Sequence, residues 1–265
     1  MTLRTSFQYV RGTRAFHHTD ELDAPPSPAD IEWSRQLYVA ELYYQASAQV
    51  GLGAAIPYYE QDVHNRTIGT DDHVAGIGDC AFYVTWSPWV HEGERKFLDA
   101  GNLSLMVGMT IPTGDDLAGE VPGLHTYHIG SGSPEYKFSA RYTGWLSDDW
   151  VLYAAASAVI DGGVNRTGFL YGQSYDLLMG VSWTPVSLLS VWLAADIVSR
   201  EQDHFSGIDI DDSGGTWWYL ECGVAVEAGR GVTVDASVDM PVWIRVNGSQ
   251  PVADWILSLG VRYRF

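Results

Sequence analysis

Few stretches of this sequence gather residues that could do chemistry. Asp209-Ile210-Asp211-Asp212-Ser213-Gly214 matches the first half of a D-x-D-x-S-G calcium loop, with Asp209, Asp211 and Ser213 as oxygen donors. Such a loop needs a bidentate glutamate at its twelfth position, where Leu220 stands; Glu221 comes one residue late. A solvated acidic loop describes the segment better, with weak binding of a divalent cation such as Ca2+ as the alternative. No other cofactor is expected. Asp71-Asp72-His73 could supply an acid–base pair, whereas His17, His18, His125 and His128 have no metal-ligand company nearby. No nucleophile, base and orienting acid stand at a telling spacing, so no enzyme is expected.

Composition narrows the classes. Thirty-three Asp and Glu against 15 Lys and Arg give a formal charge of −18, which argues against nucleic acid as a partner. Yet charged residues make up only 18%, while aromatics reach 13%, with 11 Trp and 15 Tyr. That load suits interfacial aromatic girdles. No apolar run approaches the ~18 residues of a spanning helix; 151–160 is among the longest. A membrane protein without such helices can only be a closed barrel, because every backbone polar group must be paired in lipid.

The elements that would position any site are strands. Trp255, Leu257, Leu259, Val261, Tyr263 and Phe265 alternate with small or polar residues, as do Leu103 to Ile111, Tyr136 to Tyr142 and Val232 to Met240. Period two means one apolar and one wet face per strand. Twelve strands are predicted, at 2–16, 36–46, 48–60, 78–87, 100–112, 133–144, 149–161, 171–184, 188–200, 216–228, 232–246 and 253–265. Their connections alternate short (47, 146–148, 185–187, 229–231) and long (17–35, 61–77, 113–132, 162–170, 201–215), with 88–99 long for a turn. The expected fold is all-β: a closed antiparallel transmembrane barrel of about 12 strands in an up-and-down meander, one domain over 1–265. A soluble sandwich is the alternative, but it rarely keeps twelve hairpin-linked strands with alternating loop lengths. One aromatic girdle is expected from Trp86, Trp89, Trp145, Trp150, Trp183, Tyr263 and Phe265, the other from Tyr58, Tyr59, Tyr171, Trp217, Trp218 and Trp243.

In a barrel the wet face is the functional surface. Its predicted selectivity residues are Arg4, Glu41, Lys137, Arg141, Asp176, Asp196, Glu221, Asp235, Asp239, Asp254, Arg262 and Arg264, with Asp79, Asp161, Glu227 and Arg245 also in phase. Opposite charges on neighbouring strands suggest cross-strand pairs, with Asp239 neutralising the Arg residues near it. Inward Gly51, Gly53, Gly108, Gly180 and Gly260 would leave space. Cys80 and Cys222 read as lipid-facing apolar filler rather than a disulfide pair. The five long loops carry 16 Asp and Glu against three Arg, which predicts a mildly cation-selective mouth.

Two features carry a resemblance. An aromatic Phe265 at the apolar phase resembles the last strand of a bacterial outer-membrane barrel, where it marks the membrane-insertion end. Ala55-Ile56-Pro57-Tyr58, Gly76-Ile77-Gly78-Asp79, Ile111-Pro112-Thr113-Gly114-Asp115 and Gly130-Ser131-Gly132-Ser133 are similar, in order and spacing, to the outer-membrane family named for the meta-pathway of phenol degradation, whose members are taken to be transporters. The resemblance implies passage of small, aromatic or hydrophobic molecules and brings no catalytic residues. The acidic first loop (Asp20, Glu21, Asp23, Asp30, Glu32) is not part of that pattern. No signal peptide precedes Met1-Thr2-Leu3-Arg4, so a mature outer-membrane chain is expected. Its expected partners are outer-membrane lipid and lipopolysaccharide, the barrel assembly machinery and small solutes, with an oligomer or larger complex open. The rival reading is a non-conducting anchor that works through its acidic loops.

Overall fold

A computed structural model describes residues 1–21, 31–65, 69–89, 101–114 and 129–265. Among them there is no helix. Twelve strands build the wall: β1 Thr2–Gly12, β2 Ile31–Gln45, β3 Val50–Asn65, β4 Cys80–Trp89, β5 Gly101–Ile111, β6 Glu135–Trp145, β7 Trp150–Asp161, β8 Ser174–Val186, β9 Leu189–Arg200, β10 Gly215–Gly229, β11 Val232–Val246 and β12 Trp255–Arg264. Each pairs antiparallel with its sequence neighbour, and β1 pairs with both β2 and β12. The sheet therefore closes on itself and leaves no edge to satisfy. A further strand, Thr70–Ile77, pairs with the far half of β3 and hands over at Gly78-Asp79 to β4, which pairs with the near half. The two read as one interrupted strand.

Alternation sets the faces. Leu42, Leu52, Phe82, Val107, Met179, Leu193 and Leu259 are large apolar side chains left exposed on the outside of the wall. In water such a band would be a liability; against lipid it is the burying face. Trp150 and Trp183 stack at 5.9 Å and Trp218 and Trp243 meet at 5.5 Å, near the two ends of the band. Cys80 and Cys222 are free thiols in the same outward phase. Tight turns close one end of the barrel. At one of them Arg230 takes φ 53 between Gly229 (φ 80) and Gly231 (φ 78), a left-handed run that only flanking glycines make affordable. Phe265 donates its N–H to the Met1 carbonyl at 3.1 Å beside this end.

The structure departs from the expected elements at the long-loop end. Residues 61–65 and Thr70–Ile77 form an antiparallel ribbon rather than a loop, because β3 runs on to Asn65 and pairs residue for residue with Thr70–Ile77. The first strand stops at Gly12. Arg14–His17 then pairs with Asp20–Glu21 and with Ser249–Val252 as a three-stranded flap. The underside of this flap (Phe16, Val252) packs on Ile244, Val246 and Trp217. Arg245 does not reach the lumen: Trp218 faces Trp243 while Tyr219 faces Pro241, so Val242 is an extra residue in β11. The bulge reverses the phase, burying Ile244 and Val246 and turning Arg245 outward. Tyr59, Trp145 and Trp217 stand at the inward phase and Tyr171 is drawn in beside Phe169, so these four leave the predicted girdle. Asp23, Asp30, Asp115, His125, His128 and the joint at 90–99 lie outside the described residues.

Candidate functional site

The barrel encloses a cavity of about 1250 Å³ in its short-turn half, and seven of the predicted selectivity residues line it. These are Arg4, Glu41, Arg141, Glu221, Asp235, Arg262 and Arg264, drawn from β1, β2, β6, β10, β11 and β12. Only one opposite-charge pair forms among them: Arg4 Nη2 lies 4.0 Å from Asp235 Oδ2. Arg141, Arg262 and Arg264 have no carboxylate within ion-pair distance among the described residues. Asp239 does not neutralise them. Its register partner across β10–β11 is Glu221, and one of its oxygens is buried without a hydrogen-bond donor. Asp176 and Asp196 continue this acidic wall on β8 and β9, and one Asp196 oxygen is likewise buried without a hydrogen-bond donor. Lys137 lies 3.8 Å from Glu135, beyond the cavity.

The inward glycines do not leave space as expected: aromatic rings lie on Gly51, Gly53 and Gly180, the Asp235 carboxylate on Gly260, and the Tyr83 Cβ against Gly108. A methyl group built on Gly53 would overlap the Tyr83 ring, one on Gly51 the Tyr43 phenol, one on Gly180 the Tyr153 phenol and one on Gly223 the Trp192 indole. Three of these are directly opposed cross-strand pairs: Gly53 with Tyr83, Gly180 with Tyr153, Gly223 with Trp192. The polar ends are held. Trp192 Nε1 donates to Glu221 Oε1 at 2.8 Å, Tyr83 Oη donates to Glu41, and Tyr43 Oη donates to Gln45 Oε1 at 2.9 Å. Tyr43 and Tyr83 stack with centroids 6.4 Å apart. The sequence shows no local trace of this paving, since Trp192 and Gly223 meet only through strand register.

The long-loop half is built differently. Asp79 accepts hydrogen bonds from Gly114 N–H at 2.9 Å and from Ser131 N–H and Oγ–H at 2.7 Å each. Gly78 N–H donates to the Pro57 carbonyl at 2.9 Å, and Thr113 Oγ1 donates to the Gly78 carbonyl at 3.1 Å. The four motif stretches thus converge on one junction, where Gly114 and Gly130 approach too closely for any side chain on either. Asp161 accepts from Ser133 Oγ–H and Tyr171 N–H, so from its inward phase it braces a loop. Asp254 precedes β12 rather than lying on it. Its carboxylate accepts from Thr13 N–H at 2.9 Å, Thr13 Oγ–H at 2.7 Å and Arg14 Nε–H at 2.7 Å, a clasp on the flap. Partial burial beside Asp203 holds the Tyr171 phenol above its usual range.

The metal-like motif folds as part of a small hairpin. Asp209 faces His204 at 2.7 Å, and Ser213 Oγ donates to the Ile210 carbonyl while accepting from Asp203 N–H, so the Ser213 oxygen is engaged within the loop. Among the described residues no group of three His, Cys, Asp or Glu is arranged to hold a metal ion. On the ribbon, His64 contacts Asp71 and His73 Nδ1 lies 2.8 Å from Asp62, two cross-strand pairs on its outer side. The Asp62 carboxylate holds the His73 imidazole above its ordinary pKa.

A family model described as "Putative MetA-pathway of phenol degradation" matches residues 29–265. The chain belongs to this family. Its flap strands Arg14–His17 and Asp20–Glu21 lie outside the match. A comparison with curated protein sequences finds no match. Among solved structures the chain resembles the COG4313 outer membrane channel from Pseudomonas putida, with a TM-score of 0.76 at 13% identity, covering 100% of this chain and 95% of that one. It also resembles the β domain of the Bordetella autotransporter BrkA (TM-score 0.59, 12% identity, 100% and 99% covered) and the NanC porin (TM-score 0.54, 8% identity, 99% and 100% covered). At these identities the likeness is one of fold: a family barrel of the outer-membrane kind.

Proposed function

We propose that this protein is a passive channel of the bacterial outer membrane for small molecules, with the short turns in the periplasm and the long loops outside. The observation that carries the reading is the cavity of about 1250 Å³ enclosed by a wall apolar outside and charged inside. A polar lumen of this kind sorts solutes by charge and contact as they pass. Aromatic or hydrophobic compounds are its candidate solutes, lipid and lipopolysaccharide its surroundings, and the barrel assembly machinery its route into the membrane. Arg4, Glu41, Arg141, Glu221, Asp235, Arg262 and Arg264 are its proposed selectivity residues.

The packed long-loop half favours one second reading, a closed barrel that anchors partner-binding loops. Conductance of the refolded chain in planar bilayers separates the two. Discrete current steps support the channel, and a barrel that inserts without conducting supports the anchor.

A further inference from the structure

The lumenal aromatics are arranged as a surface, not as a filling. Tyr43, Tyr83, Tyr153 and Trp192 line the same cavity, and each lies across a glycine of its own or a neighbouring strand. Lying flat on glycine, a ring turns one face to the wall and the other to the lumen. Tyr83 has glycine on both sides in register, Gly53 and Gly108, so nothing beside it on the wall props it upright. The bonds from Tyr83 to Glu41, Tyr43 to Gln45 and Trp192 to Glu221 then fix these rings in the plane of the wall. An aromatic face held in place loses little freedom when a second ring lies on it.

Charge completes the description. The carboxylates of this cavity are largely engaged: Glu41 by Tyr83, Glu221 by Trp192 and Asp235 by Arg4. The guanidiniums of Arg141, Arg262 and Arg264 are exposed to the cavity and unpaired among the described residues. Arg141 stands one strand from Tyr153, and Arg4 faces Glu41 across β1–β2. A guanidinium is the side chain best matched to a carboxylate, which it binds through paired N–H donors.

We infer that the short-turn half of the lumen is a binding platform for planar aromatic acids, the ring lying on Tyr83, Tyr153 or Trp192 and the anionic group meeting Arg141 or Arg262. The inference deepens the channel reading, on which it rests for the solute's route, by naming the solute class. An aliphatic acid of equal size can satisfy the guanidinium but not the flat rings. A neutral aromatic can satisfy the rings but not the guanidinium.

The test is calorimetric titration of the full-length barrel in detergent, against a protein-free micelle blank, with benzoate, cyclohexanecarboxylate and benzyl alcohol. Benzoate should bind about two- to tenfold more tightly than cyclohexanecarboxylate, the range expected for ring–ring contact beyond simple burial. Trp192→Leu and Tyr153→Leu should each narrow that gap, and Arg141→Gln should weaken benzoate while leaving benzyl alcohol unchanged. Equal affinity for benzoate and cyclohexanecarboxylate in the unaltered chain, or no binding of either, overturns the platform without recourse to any variant. KCl conductance of the same preparation reads the channel separately. Benzoate preference without conductance upholds the platform and rejects the passage, whereas conductance without benzoate preference does the reverse.

Discussion

The two halves of the barrel interior solve opposite problems with the same alternating strands. In the long-loop half, inward positions are buried as in a soluble core: Phe16, Val246 and Val252 pack together, and Asn165, Asp203 and Ser213 are buried polar residues that bond to loop backbone. In the short-turn half, the inward face stays open, with Gly51, Gly53, Gly180 and Gly223 paved by rings and Arg141, Arg262 and Arg264 unpaired among the described residues. Strand pairing alone holds the open half, because a closed ladder needs no core to satisfy its backbone. The packed half gains a second source of stability from the loops and gives up space for it. Width in such a barrel is thus decided less by strand number than by what the loops fold onto.

Substitutions in the two halves should therefore behave differently. The largest effect is expected from Phe16→Ala, which removes the apolar anchor of the flap. A loss of about 3–5 kcal/mol exceeds what a small sheet can spare, so amide exchange in Arg14–His17 and Ser249–Val252 should become fast while β5 to β9 stay protected. Unchanged flap exchange would mean that the packed half is not held by this cluster. Next comes the wall. Leu257→Arg places a charge on the lipid face and should cost ~2–4 kcal/mol, whereas Ser258→Arg, one residue on and facing the lumen, should cost far less. Urea titration in bilayers compares them, and equal losses would reverse the assigned faces. Asp254→Ala removes the carboxylate that Thr13 and Arg14 bond to and should loosen the flap by about 1–3 kcal/mol, visible as faster exchange at Thr13 and along Arg14–His17.

The smallest effect concerns the ribbon. The His73 pKa is raised by Asp62, so its contribution is fully present below the unfolded value of 6.5 and is lost as pH rises through the folded value. Exchange in Thr70–Ile77 should accelerate as pH rises above 6.5, beyond its intrinsic pH dependence. His73→Asn should abolish that excess; an excess that survives the substitution assigns it to another group.

The wall was legible in the sequence because period two is a local signal. Val232–Val246 coincides with its predicted span, and most other strands differ by a few residues at their ends. What escaped was non-local. The bulge that turns Arg245 outward depends on one unpaired residue, Val242, in a run that otherwise alternates. Asp254 is in phase for the lumen, yet its role is set by Thr13 and Arg14 at the far end of the chain. Gly53 and Gly180, which read as empty space, are covered by rings whose sequence distance gives no hint of contact. Conversely, the Gly and Pro motifs read as simple strand punctuation, and their meeting at Asp79 needed the closed barrel to appear.

The contrast between the halves is also electrical. Acids such as Asp62, Asp71, Asp79 and Asp203 dominate the long-loop end, while Arg141, Arg262 and Arg264 stand free in the cavity below. The cation preference expected from the loops alone therefore becomes an asymmetry. Cations driven in from the acidic end and anions from the basic end should accumulate together and raise conductance. Single-channel current–voltage curves in 0.1 M KCl test this directly. The predicted result is larger current when the long-loop side is positive, fading in 1 M KCl as the Debye length falls from ~10 to ~3 Å. A linear curve at 0.1 M, or no current steps at all, would contradict the account.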